Sequence, residues 1–124
     1  MIGTDDRLAI LDMLARYCWL VDAGDGDGWA NLWTEDGAFT GIPTPLRGRD
    51  QLRNVPSGKF KHILSNVTVD PGCSHDEASA MAYSTIYEAS SGKLMSLGSA
   101  RYRLVRSVGE WRIKALHVEL SGLA

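Results

Sequence analysis

One acidic residue stands out near the start of the chain because it interrupts an apolar helical pattern. Residues spaced by three and four form the series Leu8, Leu11, Ala15, Cys18 and Asp22. This spacing places all of these side chains on one face of a helix, the face expected to pack inward. An unpaired buried carboxylate is costly and needs a partner or a shifted pKa. Asp22 is therefore a candidate catalytic group.

The flanking residues predict the helix that must position Asp22. Thr4 is expected at the N-cap, and Asp5 and Asp6 in the first turn favour the helix dipole. Gly24 suits the position just after the helix, which therefore ends at about residues 22–23. A second stripe runs beside the first and contains Ile10, Leu14, Tyr17 and Val21.

The next segment predicts shorter elements. Asp25 or Asp27 is expected to cap a second helix that carries Trp29, Leu32 and Trp33 on one face. Three further elements are predicted in order: a short strand over 37–41, a loop with two prolines and a glycine over 42–48, and one or two helical turns over 49–55.

Strand patterns dominate the remainder, with predicted strands at 62–70, 77–89, 94–107 and 111–120. In the first of these, Ile63, Val67 and Val69 share one face, and the other face carries His62, Leu64, Asn66 and Thr68. Helices followed by antiparallel strands indicate an α+β fold with the helices on one sheet face. Because long strands curve, we expect a cone-shaped barrel, whose interior can hold a small molecule.

Length and charge restrict the class of protein. The chain of 124 residues is expected to form one domain over 1–124. Its net charge is −2 without a basic cluster, so neither nucleic acid nor an anionic membrane is an expected partner. We expect no membrane-spanning segment, which takes roughly 20 apolar residues, and no signal peptide. A buried thiol at Cys18 is favoured over a disulfide with Cys73, and the cytoplasm is the expected compartment.

Three segments of the chain carry motifs in a fixed order: RYCWLVDAGDGDGWANLWTEDGAF, KFKHILSNVTVD and RYRLVRSVGEWRIKALHVEL. In the first, a predicted helix ends in D-x-G-D before a tryptophan-rich second helix, and the second contains H-x-x-x-N on a predicted strand. Together with the third, which resembles a final hairpin, these segments resemble the SnoaL-like branch of the nuclear transport factor 2-like superfamily. The segments occur in the family's order over nearly the whole chain, which implies the cone-shaped fold. Because the superfamily includes enzymes and non-enzymes, the site must be argued residue by residue.

The resemblance implies a catalytic dyad. Scytalone-type dehydratases and the hexachlorocyclohexane dehydrochlorinase pair an aspartate at the end of helix one with a histidine at the start of the central strand. Asp22 and His62 match these positions. An imidazole with a reference pKa of about 6.5 is a competent base near neutral pH. Supported by an aspartate that accepts its N–H, it could take a proton from a carbon beside a carbonyl or leaving group.

Two departures from related enzymes restrict the chemistry. Ketosteroid isomerase keeps a tyrosine on helix one, which Tyr17 matches, but its aspartate base would fall at about Gly41. Scytalone-type enzymes carry a second histidine on the penultimate strand. The corresponding residues of this chain, 95–98, are Met-Ser-Leu-Gly and include no histidine. The dehydrochlorinase is therefore the better comparison, although its alkyl chloride substrate does not follow from the match.

Further residues are assigned around the dyad. Tyr17 could donate a hydrogen bond to a developing oxyanion or a departing hydroxyl. Asn66 lies on the predicted face of the histidine and could orient the substrate. Arg101 could balance a leaving anion, and Trp33 and Leu64 complete the expected substrate-binding set.

Structural roles remain open for each candidate. Asp22 could cap the glycine-rich turn, His62 could be a hydrogen-bonded structural histidine, and Tyr17 and Asn66 could serve packing. The tryptophans favour the core, with at least one expected at the pocket. His117 and Glu119 share a strand face, but a zinc site needs more ligands, so we expect neither a metal nor another cofactor.

Two function classes follow. The first is a cofactor-independent lyase or isomerase, dehydratase-like, acting on a small apolar cyclic substrate in a closed pocket; a polyketide cyclase-like enzyme is its near alternative. The second is a non-catalytic small-molecule-binding or assembly domain, like the small subunits of ring-hydroxylating dioxygenases. Because helices cover one sheet face, a homo-oligomer, dimer or trimer, is expected through Met81, Tyr83 and Tyr87 or the opposite face.

Overall fold

The computed structural model describes residues 2–122, beginning with a long helix, α1 (Thr4–Asp22), over the predicted segment. Gly24 follows it with a left-handed φ of +73°, as a residue just after a helix often does. The N-cap is Gly3, without a side-chain hydrogen bond. Thr4 was predicted as the cap, so the helix begins one residue earlier than expected.

Only one of the two apolar stripes of α1 reaches the core. The buried residues of the helix are Ile10, Met13, Leu14, Tyr17 and Val21. In the series that ends at Asp22, Leu8 is 59% exposed, and Leu11 and Ala15 are also exposed. The prediction that this series packs inward was wrong for these three residues, because a helix lying on a sheet presents one face to it.

Shorter elements follow in the predicted order. The carboxylate of Asp25 caps α2 (Gly26–Ala30) by accepting the backbone N–H of Gly28 at 2.9 Å. Next come β1 (Trp33–Thr40), β2 (Leu46–Arg47) and α3 (Arg49–Leu52). β1 begins four residues before its predicted start because Trp33 already pairs with Ile113 in the last strand.

Four long strands complete the sheet: β3 (Phe60–Pro71), β4 (Glu77–Glu88), β5 (Leu94–Ser107) and β6 (Glu110–Gly122). Their order across the sheet is β2-β1-β6-β5-β4-β3. β1 and β6 run parallel, and the other described pairs are antiparallel. This is the predicted α+β architecture, with β3 at one edge, in contact with α1.

A β-bulge in β3 changes which residues share a face. The pairing with β4 slips by one residue around Asn66, which has a left-handed φ of +56°. Leu64, Val67 and Val69 consequently all pack against the core. The predicted alternation, which put Asn66 on the face of His62, was wrong because one extra residue inverts a period-two pattern.

Aromatic side chains fill the interior of the curved sheet. Trp29 and Trp33 are fully buried with ring centroids 5.3 Å apart, and Trp33 stacks on Phe39 at 5.9 Å. Tyr17 meets Tyr102 edge-on at 5.8 Å. Such pairs add stability beyond the burial of their area.

Candidate active site

Asp22 and His62 meet where the end of α1 lies against the start of β3. A single carboxylate oxygen, Asp22 Oδ1, lies 2.9 Å from the backbone nitrogen of His62 and 2.9 Å from its Nδ1. Both side chains are 18% exposed. The carboxylate therefore holds both the imidazole and the strand that carries it.

This contact defines the tautomer of the neutral imidazole. An ionised carboxylate only accepts hydrogen bonds, so Nδ1 of His62 carries the proton and Nε2 keeps a lone pair. A base with this arrangement can accept a proton at Nε2 while the carboxylate stabilises the imidazolium. The catalytic roles of Asp22 and His62 stay predictions.

A cleft of about 410 Å³ lies between α1 and β3 and reaches both residues. Its walls are mainly apolar and include Leu11, Leu14, Ala15, Cys18, Leu64 and Val67. Trp19 and Ile63 stand at its rim with 77% and 51% of their surfaces exposed. In a single chain the site is thus an open cleft rather than the closed pocket that we expected.

Cys18 lines the cleft one helical turn before Asp22. Burial raises the pKa of its thiol to about 11, and the negative charge of Asp22 acts in the same direction. Because the thiolate is the nucleophilic form, Cys18 belongs to the apolar wall at neutral pH.

Of three other predicted site residues, one lines the cleft and two are buried in the core. Leu64 lines the cleft, and its role in substrate binding stays a prediction. Tyr17 is 6% exposed and Trp33 is fully buried, and neither lines the cleft. Burial raises the pKa of Tyr17 far above its usual range. Both side chains face the aromatic interior, so the structure does not bring Tyr17 to the cleft as the predicted catalytic hydroxyl, or Trp33 as the predicted substrate contact.

Asn66 and Arg101 lie away from the dyad. The bulge turns Asn66 into a separate pocket that it shares with Tyr83. Arg101 is exposed between two buried neighbours on β5, which places it on the outer face of the sheet. The structure therefore does not bring either side chain to the cleft, contrary to the sequence-based prediction.

Trp19 and Lys61 line the cleft but were missing from the predicted site. Each has a signal in the sequence. Trp19 precedes Asp22 by three positions, the spacing of neighbours on one side of a helix. Lys61 directly precedes His62 on the strand.

Gly41 has no room for the carboxylate that ketosteroid isomerase would place there. Its φ is +86°, and a Cβ built on it would lie 1.8 Å from the carbonyl oxygen of Val118. The end of β1 thus approaches β6 too closely for a side chain at this position.

A smaller cavity of about 200 Å³ also borders His62. Its lining consists of His62, Val21, Val55, Ser57 and Phe60, and does not include Asp22. His62 therefore borders two separate spaces.

Within residues 2–122, no three side chains of His, Cys, Asp or Glu gather into a potential metal-binding group. None of the helices described there is both long and apolar enough to cross a membrane.

The curved α+β sheet with helices on one face places the protein in the nuclear transport factor 2-like class. The chain belongs to the SnoaL-like domain family, whose model matches residues 4–117.

Solved structures support this assignment. A variant of Rv3472, a function-unknown protein from Mycobacterium tuberculosis, is 28% identical with a TM-score of 0.86, covering 98% of this chain and 80% of that one. A Novosphingobium aromaticivorans protein provisionally named an aromatic ring hydroxylase is 27% identical with a TM-score of 0.80. The match covers 98% of this chain and 96% of that one.

A third structure, provisionally named a scytalone dehydratase and also from Novosphingobium aromaticivorans, shares the fold. It is 20% identical with a TM-score of 0.81, covering 94% of this chain and 84% of that one. Among curated proteins there is no significant match.

Proposed function

We propose that this protein is a cofactor-independent lyase or isomerase that acts on a small, mostly apolar cyclic substrate. The reaction begins when His62 takes a proton from a carbon beside a carbonyl or a leaving group. Asp22 orients the imidazole and stabilises its charged form. Elimination of the leaving group or a shift of a double bond follows.

The observation that carries this proposal is the double contact of Asp22 Oδ1 with the backbone N–H and Nδ1 of His62, both at 2.9 Å. The bond to Nδ1 restricts rotation of the ring and leaves Nε2 available as a base, and the bond to the backbone N–H holds the carboxylate against β3. Since both side chains are 18% exposed, water screens their interaction less than it would at an open surface.

Proton and electron movements balance without an added redox partner. Nε2 of His62 accepts the proton as the C–H bond breaks, and the electron pair forms a new C=C bond. In an elimination the leaving group departs with its bonding pair and can take the proton from the imidazolium. In an isomerisation the proton returns to another carbon of the substrate.

The cleft favours a flat, apolar ring. Its volume of about 410 Å³ falls within the range of roughly 300–1,000 Å³ that is usual for small-molecule sites. The exposed indole of Trp19 offers a surface on which a ring can stack. Lys61 adds a cation beside the cleft for an electron-rich oxygen. The scytalone dehydratase-like structure supports elimination only by analogy of fold.

Hydrogen–deuterium exchange tests the proposal without knowledge of the natural substrate. Cyclic ketones and hydroxy-ketones are incubated with the protein in D₂O, and loss of the signal of the proton next to the carbonyl is followed by NMR. We expect catalysed exchange, slowed roughly 10²–10⁴-fold by His62→Ala and strongly by Asp22→Asn. His75→Ala, at an exposed histidine outside the cleft, is the matched control and should exchange at the wild-type rate.

Near wild-type exchange in either dyad variant would show that the assigned roles are wrong. Binding of the ketones without exchange by the wild-type protein would favour the non-catalytic binding domain instead.

A further inference from the structure

The cleft that holds the dyad follows the line along which α1 and β3 lie side by side. One end of this line is fixed by Asp22 and His62, whose Oδ1 and Nδ1 atoms are 2.9 Å apart. Towards the other end, Nη1 of Arg7 donates a hydrogen bond to the carbonyl oxygen of Val69 at 3.1 Å. The helix and the strand therefore run in opposite directions, and the cleft extends between two fixed contacts.

Both walls of the cleft give the same length. The helix wall extends from Asp22 back to Leu11, and at about 1.5 Å per residue this stretch is about 16 Å long. The strand wall extends from His62 to Val67, which is also about 16 Å at about 3.3 Å per residue. The cleft is thus much longer than a single six-membered ring.

Polar groups are gathered at one end of the cleft. Its carboxylate, imidazole and ammonium groups all lie at the dyad end: Asp22, His62 and Lys61. The side chains farther along are apolar: Leu11, Leu14, Ala15 and Val67. Leu14 is only 2% exposed and closes the cleft towards the core. A long ligand must therefore follow the direction of α1 rather than enter the interior of the sheet.

We propose that the substrate is elongated, with a carbonyl-bearing ring at the dyad and a second apolar ring that lies along α1 past Ala15. The choice of which ring meets the dyad rests on the proposed function. The cleft volume of about 410 Å³ is more than twice the roughly 150 Å³ that holds benzene in an apolar protein cavity. Two rings joined end to end therefore fit.

Ala15 is the residue that admits the second ring. It lies about 10 Å from Asp22 along the helix axis, and its methyl group leaves the middle of the cleft open between the larger side chains of Leu11 and Trp19. A leucine at this exposed position is compatible with the helix, because leucine is a good helix former. Its side chain would occupy the space that the second ring needs.

Two ketones that differ by one ring test this assignment. Amide chemical shifts of the ¹⁵N-labelled protein give the Kd of cyclohexanone and of 4-phenylcyclohexanone, whose second ring lies opposite the carbonyl. We expect the wild type to bind the two-ring ketone roughly tenfold to a hundredfold more tightly, because burial of a ring removes apolar area from water. The amide of Leu11 should shift with that ketone only.

Ala15→Leu should remove most of this preference. We expect it to raise the Kd of 4-phenylcyclohexanone about tenfold, since the second ring loses its apolar contacts, and to leave the Kd of cyclohexanone unchanged. Ala15→Ser keeps a small side chain and should keep the preference. Ala9→Leu makes the same change at an exposed residue of α1 outside the cleft and should alter neither Kd.

The outcomes separate this assignment from the proposed function. Equal affinity of the wild type for both ketones, no binding of 4-phenylcyclohexanone, or an equal effect of Ala15→Leu on both ketones would each overturn the elongated substrate. Catalysed exchange of both ketones at rates that Ala15→Leu does not alter would overturn it and leave the proposed function standing. Two-ring binding that depends on Ala15, without catalysed exchange of either ketone, would support the elongated site and contradict the proposed function.

Discussion

At the scale of single residues, the decisive interaction is the pair of hydrogen bonds that His62 donates to one oxygen of Asp22. A structural histidine is satisfied by any acceptor for its N–H. A catalytic base also needs the opposite nitrogen unprotonated and near its substrate. The tautomer of His62 is therefore the property that links the geometry to the proposed chemistry.

The carboxylate is expected to set that tautomer. At a pH where the imidazole of His62 is neutral, two-bond ¹H–¹⁵N correlation spectra of the wild-type protein should show a protonated Nδ1 and an unprotonated Nε2. Asp22→Asn introduces an amide that can donate to Nδ1, so we expect the proton of His62 to move to Nε2. The exposed His75 serves as an internal reference. The same tautomer in both proteins would show that Asp22 does not control the ring.

At the scale of elements, two close approaches shape the site. The end of α1 meets β3 at the dyad, and the end of β1 meets β6 at Gly41. The second approach leaves no space for a side chain at Gly41, where the chain lacks the ketosteroid isomerase base.

Gly41→Ala should therefore destabilise the protein more than an ordinary glycine substitution. The new Cβ meets the carbonyl of Val118 and the residue keeps a left-handed φ. We expect a loss of roughly 3 kcal/mol in the free energy of unfolding, measured with urea. Gly92→Ala is the matched control, because Gly92 has a φ of +73° with nothing within 4 Å, and should cost about 1 kcal/mol. Equal losses would contradict the close approach.

At the scale of the whole molecule, the outer face of the sheet carries exposed apolar side chains. Exposure is 51% for Ile63, 40% for Met81, 55% for Tyr83 and 45% for Leu97. The strand register makes this patch continuous, because Thr85 pairs with Ile63 on one side and with Leu97 on the other. Apolar patches of this kind mark association surfaces, so we propose an isologous homo-oligomer through this face.

Tyr83→Asp should dissociate this assembly, because each copy would bring a charge into an apolar contact. Light scattering coupled to gel filtration measures the mass. Leu8→Asp is the matched control, since Leu8 is 59% exposed on α1 rather than on the sheet, and the assembly should persist. Dissociation by Leu8→Asp alone would place the interface on the helix, and a monomeric wild-type protein would contradict the oligomer.

Much of the fold could be predicted from the sequence because the signals for where helices and strands begin and end are local. Gly24, Asp25 and the turn residues mark where elements end, and periodicity identifies helix and strand. The structure confirms α1 and the four long strands close to their predicted bounds. The bulge at Asn66 was missed, because a single inserted residue leaves no local signature while it inverts every face beyond it.

The amino-acid sequence alone determined the order of the elements and the α+β class, and its resemblance to the SnoaL-like family implied the pairing of Asp22 with His62 as a hypothesis. Only the tertiary structure decided which stripe of α1 is buried, why Tyr17 and Trp33 belong to the core, and that Trp19 stands at the cleft. The reason is physical. Periodicity states which side chains share a face, but the surface that each face meets depends on packing between residues far apart in the chain.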